Sequence, residues 1–250
     1  MFDLDGNEIV SELCSSILIG DNNIITARIY DKENINFVYH TIIDYSGNVI
    51  CSFGKDVWVG QFHEGYALFK DGKAEIAETG VYPYYHGLYT YIDIKGNKMT
   101  NDYFVHATDF ENGMVVVATG ICHDDGSGIK NTSWKVMDNN FETLYELEDL
   151  GDSTCLGIYH KYVIYKPSNT SGCFLINMQT NVSYGMFSSL DVIPEADAII
   201  FNFTDTGLWG LFVNGLLKFT DYNEITYEGN GVFTLRQGTL ITEYDVSLSD

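Results

Sequence analysis

The sequence predicts an all-β fold, an antiparallel β-propeller of about six blades with its N- and C-terminal strands paired to close the ring. Three observations lead there: glycines are spread along the whole chain while prolines are almost absent, an Asp-turn-Gly hairpin signature recurs, and a second glycine marker advances in step with it. The 24 glycines against three prolines, Pro83, Pro167 and Pro194, suit many short strands joined by tight turns. Hydrophobic residues at 45% and aromatics at 14% supply enough apolar surface to offset the entropy of ordering. The pattern continues to both ends, so residues 1–250 are expected to form one repeat-built domain.

The hairpin signature is clearest in Tyr91-Ile92-Asp93-Ile94-Lys95-Gly96-Asn97, Ile42-Ile43-Asp44-Tyr45-Ser46-Gly47-Asn48 and Met1-Phe2-Asp3-Leu4-Asp5-Gly6-Asn7. The Asp caps its own turn through its side chain, and the glycine three residues later takes the positive φ that returns the chain antiparallel. An aromatic column precedes it at Tyr89, Trp134 and Trp209, which reads as packing inside a blade. Taking Asp3, Asp44, Asp93, Asp138, Asn177 and Val213 as anchors gives spacings of 41, 49, 45, 39 and 36 residues. A four-stranded blade takes roughly 40 to 45 residues.

The second marker joins a Phe to a Gly three residues on and then an apolar strand: Phe62-His63-Glu64-Gly65-Tyr66-Ala67-Leu68-Phe69 and Phe110-Glu111-Asn112-Gly113-Met114-Val115-Val116-Val117. Its copies stand 48 residues apart, beside a hairpin spacing of 49. The tail, with Val232-Phe233-Thr234-Leu235-Arg236 and Leu240-Ile241-Thr242-Glu243-Tyr244-Asp245-Val246, reads as two more strands, and the N-terminus supplies the missing half of that unit. Closing the ring this way removes an exposed sheet edge. Five blades, seven blades or an open array are the alternatives.

These residues resemble the WG-repeat family, whose units join a Phe-x-x-Gly strand element to a Trp-Gly and aromatic-Ile-Asp hairpin. Trp209-Gly210 keeps the name-giving pair, and the best-matching stretch, residues 59–119, covers about a quarter of the chain. The resemblance implies a repeat scaffold and carries no set of catalytic residues.

The charge of −22, from 35 acidic and 13 basic residues, repels phosphate backbones and anionic membrane surfaces, so neither nucleic acid nor membrane is an expected partner. Cations, neutral glycans and basic proteins remain compatible. The five cysteines, Cys14, Cys51, Cys122, Cys155 and Cys173, lack any CxxC pair or nearby His at metal spacing, which points to reduced thiols and no metal site. With no basic-plus-apolar leader in Met1-Phe2-Asp3-Leu4-Asp5-Gly6, a cytoplasmic location is expected, the alternative being a signal already removed. In that setting the Asn-x-Ser/Thr sequons at Asn131, Asn169, Asn181 and Asn202 carry no glycan.

Candidate chemistry is sparse. The histidines show neither HxxxH nor HExxH spacing, and no G-x-S-x-G elbow, P-loop or dinucleotide fingerprint occurs, so no catalytic residue and no cofactor is assigned. The acidic loop Cys122-His123-Asp124-Asp125-Gly126-Ser127-Gly128 offers oxygen ligands but no closing Glu for an EF-hand, and reads as a solvated inter-strand loop. The stretch from Tyr82 to Tyr91 gathers five tyrosines, of which Tyr84 and Tyr85, with His86, are expected in a loop and are the candidate binding residues. The leading functional expectation is a non-enzymatic scaffold that docks a protein or peptide. The alternative is a carbohydrate-binding or carbohydrate-active propeller with its site at the central channel mouth, and a metal-stabilised module is a third.

Overall fold

A computed structural model describes residues 14–31, 33, 37–72, 74–76, 83–85, 88–122, 129–148, 150–151 and 153–248. All regular structure in it is antiparallel strand, apart from three single 3-10 turns at Asp21–Asn23, Pro194–Ala196 and Val246–Leu248. Two compact units divide the chain, Met1–Glu146 and Leu147–Asp250.

The first unit holds three meanders. Strands β1 (Cys14–Ile19), β2 (Ile24–Tyr30), β3 (Val38–Asp44) and β4 (Val49–Ser52) form one sheet in chain order. A second sheet consists of β5 (Val57–His63), β6 (Tyr66–Asp71) and β9 (Tyr89–Asp93), with the hairpin β7 (Ala74–Ile76) and β8 (Pro83–Tyr85) inserted between β6 and β9. The third sheet is β10 (His106–Ala107), β11 (Met114–Cys122), β12 (Ile129–Asp138) and β13 (Thr143–Leu147).

Strand alternation explains why these sheets stack. In β6, Ala67 and Phe69 face a core with Ile24, Ile42, Val59, Phe62 and Ile92, while Leu68 between them faces another with Tyr91, Phe104, Val115, Val117 and Met137. Successive side chains of a strand point to opposite faces, so the middle sheet is buried on both sides. A bulge in β5 between Val59 and Phe62 turns its backbone polar groups toward the first sheet. There the Val59 N–H donates to His40 Nδ1 at 3.1 Å, the Thr26 hydroxyl donates to the Gly60 carbonyl at 3.1 Å, and Gln61 Nε2 donates to the Ile19 carbonyl at 2.9 Å.

The second unit continues the meander. Strands β14 (Ser153–Tyr159), β15 (Tyr162–Pro167), β16 (Cys173–Asn177), β17 (Ser183–Ile193), β18 (Ala198–Phe203), β19 (Trp209–Val213) and β20 (Leu216–Tyr222) make a seven-stranded sheet. Its long β17 pairs through its first half with β16 and through its second with β18, so one strand serves two consecutive meanders. Strands β21 (Glu224–Gly229), β22 (Val232–Gln237) and β23 (Leu240–Asp245) form a three-stranded sheet.

The anticipated turns at Asp44 and Asp93 have the expected geometry, while the copy at Asp3 lies outside the described residues. Asp44 Oδ1 accepts from the Ser46 and Asn48 N–H groups and its Oδ2 from the Asn48 amide, with Gly47 at φ 83°. Asp93 repeats this with Lys95 and Asn97, and Gly96 is again at φ 83°. Asp138 keeps the pattern although Phe141, at φ 62°, stands where a glycine was expected. Asp245 accepts from the Ser247 N–H at 2.8 Å and the Ser247 hydroxyl, and a 3-10 turn follows it at Val246–Leu248.

A more regular marker emerges from the backbone. The turn between the first two strands of each meander carries a residue at positive φ: Asn23, Glu64 and Asn112 in the first unit, and His160, Asp197 and Asn230 in the second. Only the copies with a Phe three residues before Gly65 and Gly113 match the sequence marker; Asn23, His160 and Asp197 have no glycine beside them, since the left-handed region admits Asn, Asp and, under constraint, other residues, and Asn230-Gly231 lacks the Phe.

The aromatic column also packs as anticipated. Trp134 is buried, Tyr89 lies against the core of the second and third sheets, and Trp209 lies against that of β18, β19, β22 and their neighbours. Gly210 pairs directly with Phe201, and a Cβ there would fall inside the van der Waals envelope of that ring. The Trp-Gly pair therefore joins a large packing residue to a position that the cross-strand aromatic leaves no room to fill.

Candidate functional site

The two ends of the first unit differ in construction. At one end the tight turns are tied to one another by acidic side chains. Asp21 Oδ2 accepts from the Glu64 N–H at 2.8 Å, and Glu64 accepts from Asn112 N–H at 2.6 Å and Gly113 N–H at 2.7 Å. The ladder 21–64–112 aligns the starts of three adjacent meanders. Beside it His63 Nε2 lies 3.8 Å from Asp109, whose carboxyl is pushed up by burial and pulled back in part by the imidazole.

With that end fixed, the connections from second to third strand in all three meanders leave at the opposite end. They span residues 31–37, 72–88 and 123–128, and so carry both stretches singled out in the sequence. The backbone of Tyr84 and Tyr85 belongs to β8, paired with Glu75 and Ala74, so these residues sit on a small hairpin where a loop was expected. Their side chains, His86, and the acidic loop from His123 to Gly128 lie outside the described residues.

At the same end of the second sheet runs a cross-strand row. Trp58 pairs with Lys70, Lys70 with Tyr89, and Tyr89 bridges to Phe104. The Lys70 ammonium is 4.1 Å from the Tyr89 ring centroid, Trp58 meets Tyr89 edge-on at 6.3 Å, and the Arg28 guanidinium from the first sheet lies 5.8 Å from the Trp58 centroid. Cations held over aromatic faces in this way keep their charge at little desolvation cost. Lys98 Nζ donates to Asp71 Oδ2 at 2.9 Å and to the Tyr103 hydroxyl at 2.8 Å, and the Tyr103 bond followed by that to Asp71 holds its pKa above the ordinary lysine value. Asp31, buried at the edge of the first connection, accepts from the Glu33 N–H at 2.8 Å and the Tyr39 hydroxyl at 3.3 Å.

This end therefore offers half-buried aromatic edges, several fixed cations and three long connections, a combination suited to contacting a polar, extended partner. Arg28, Trp58 and Lys70 were missed in the sequence. Their signal was a cross-strand register, which sequence spacing does not show across a connection as long as residues 72–88.

In the second unit, the best-organised polar cluster ties turns together. His160 Nε2 lies 2.7 and 2.9 Å from the two Asp197 oxygens, the Tyr159 hydroxyl donates to the Asp197 carbonyl at 2.6 Å, and the Gly215 N–H donates to that hydroxyl at 3.3 Å. Burial pushes the Tyr159 phenol up to about 12. Among the described residues no group of three or more His, Cys, Asp or Glu is arranged to hold a metal ion, and no helix is long and apolar enough to cross a membrane.

No family model matches this chain, and no curated protein matches it. Solved structures give distant likenesses. A eukaryotic initiation factor is 11% identical, covering 97% of this chain and 76% of its own, at a TM-score of 0.43. BamB from Moraxella catarrhalis is 12% identical over 94% and 75%, at 0.42. The β-propeller domain of Swd1 from Myceliophteria thermophila is 10% identical over 98% and 86%, at 0.41. Likeness at this level transfers no residue, ligand or activity.

Proposed function

We propose that this chain is a non-enzymatic, WG-repeat-like binding scaffold: a six-bladed propeller, closed by pairing of its terminal strands, that docks a protein or peptide at the long-connection end of its first unit. The left-handed residue that recurs in the turn between the first two strands of each of the six meanders supports the blade number. The observation that carries the binding reading is the asymmetry of the first unit. Three adjacent meanders spend two or three residues per turn at one end and send out all their long connections at the other, the end that also carries the Arg28–Trp58–Tyr89–Lys70 cluster. Short turns are what stability alone requires, whereas long connections raise closure entropy and are where contacts vary without disturbing the fold.

The test is site-specific photo-crosslinking in cells, with the crosslinker placed at Tyr85 at the long-connection end and at Lys95 in a tight turn. A discrete adduct from Tyr85 that is lost when Trp58 is changed to Ala, with none from Lys95, is the expected result. Equal labelling from both positions, or a Tyr85 adduct indifferent to Trp58, overturns the reading. A glycan-array signal without any protein adduct would favour the carbohydrate-binding alternative instead.

A further inference from the structure

Three Asn-Gly steps occur in the chain, Asn112-Gly113, Asn214-Gly215 and Asn230-Gly231, and all three form two-residue hairpin turns. Each has both residues at positive φ: 54° and 71°, 52° and 67°, 52° and 79°. Each Asn is exposed. Asn-Gly is the dipeptide most prone to deamidation, since a glycine offers no side chain to hinder attack by its own amide nitrogen. The three share the dipeptide, the turn and the exposure of the Asn, and they differ in what the glycine N–H donates to. Gly113 donates to a carboxylate, Glu64 Oε2, at 2.7 Å, and the other oxygen of the same carboxylate takes the Asn112 N–H at 2.6 Å. Gly215 and Gly231 donate to neutral phenol oxygens, those of Tyr159 at 3.3 Å and Tyr227 at 3.1 Å.

We propose that Asn214 and Asn230 are sites of spontaneous deamidation and that Glu64 shields Asn112 from it. Hydroxide removes the glycine amide proton, the nitrogen bonds to the Asn Cγ, and the Cγ–Nδ2 bond breaks as ammonia leaves with a proton from water. Water then opens the succinimide at either carbonyl to give Asp or isoaspartate. The attacking species is an amide anion, and at Gly113 it would form against a full negative charge 2.7 Å away. Even with water-like screening, such a contact slows the step about tenfold. At Asn214 the isoaspartate product adds a backbone methylene to a turn that Val213 and Leu216 close as a direct pair.

The experiment incubates the full folded chain at mildly alkaline pH and quantifies Asp plus isoaspartate at the three sites by peptide mass spectrometry over time. Asn112 is expected to convert about tenfold more slowly than Asn214 and Asn230. Glu64→Gln, which keeps an accepting oxygen and removes the charge, should raise the Asn112 rate alone. Asn214 and Asn230 serve as internal reporters of folding, because general loosening would accelerate all three sites. Equal rates in the native chain, an unchanged Asn112 rate in Glu64→Gln, or a parallel rise at all three sites would each overturn the proposal.

Discussion

His40 is fully buried at the junction of the first two sheets, where its Nδ1 accepts the Val59 N–H. Burial first, and the nearby Arg28 charge second, push its pKa down to about 3. In the unfolded chain this imidazole titrates near 6.5, so between these values the unfolded state binds the extra proton. Its contribution is therefore complete above about pH 6.5 and is lost as pH falls toward 3, on the order of 5 kcal/mol across that window. Urea unfolding from pH 8 down to pH 4 should show stability falling below pH 6.5, and His40→Asn, which keeps an acceptor without the titration, should flatten that slope. An unchanged slope in the variant would remove His40 as its source. The carboxylates at Asp44, Asp138 and Asp245 add to acid sensitivity at lower pH. Hydrogen bonds from Asn48, from the Glu142 N–H and from Ser247 hold their pKa values below the ordinary one, so their contribution is lost as pH falls through it.

Among the turns, conformational demand and crowding can be separated. Gly65 and Gly96 both have positive φ, 88° and 83°. A Cβ on Gly65 meets nothing within 4 Å, whereas one on Gly96 would stand 2.7 Å from Cys51 Sγ and 3.1 Å from the Phe53 ring. Gly65→Ala is expected to cost about 1 kcal/mol from backbone conformation alone, and Gly96→Ala about 2 to 3 kcal/mol because strand β4 must also shift. Calorimetry should order the two accordingly, and Cys51→Ala should recover the extra loss only in the Gly96→Ala background. Equal costs for the two glycines would show that the turn of the second meander does not press on the first. At this scale the sequence was informative where side chains set the turn, at Asp44, Asp93 and Asp138. It was less so where the backbone alone repeats, as at His160 and Asp197, because most His and Asp residues lie outside left-handed turns.

For the whole chain, a net charge of −22 implies self-repulsion in the compact state. Many of the acids are committed to turns, as Asp21, Glu64, Asp44 and Asp93 are, so the repulsion is a standing cost of the hydrogen bonds that shape the meanders. Raising sodium chloride from low to physiological concentration should screen it and raise the melting temperature by about 2–4 °C, equivalent to roughly 1 kcal/mol. A melting temperature that falls with salt would mean that attractive pairs such as Arg236–Glu224 and Lys98–Asp71 outweigh the net charge.

The all-β class, the antiparallel hairpins, their Asp-capped turns and the aromatic packing column are legible in the residues alone, because they follow from local torsional preferences and from side-chain periods that a short window contains. The sequence also singled out the stretches around Tyr84 and Asp124, without a reason for them to act together. The tertiary structure decided that their connections leave the same end of the first unit, that Trp58, Lys70 and Tyr89 form one row, and that Glu64 closes the turn of the next meander. Register and stacking couple residues tens of positions apart through backbone pairing and shared cores, and no local preference records which partners will meet.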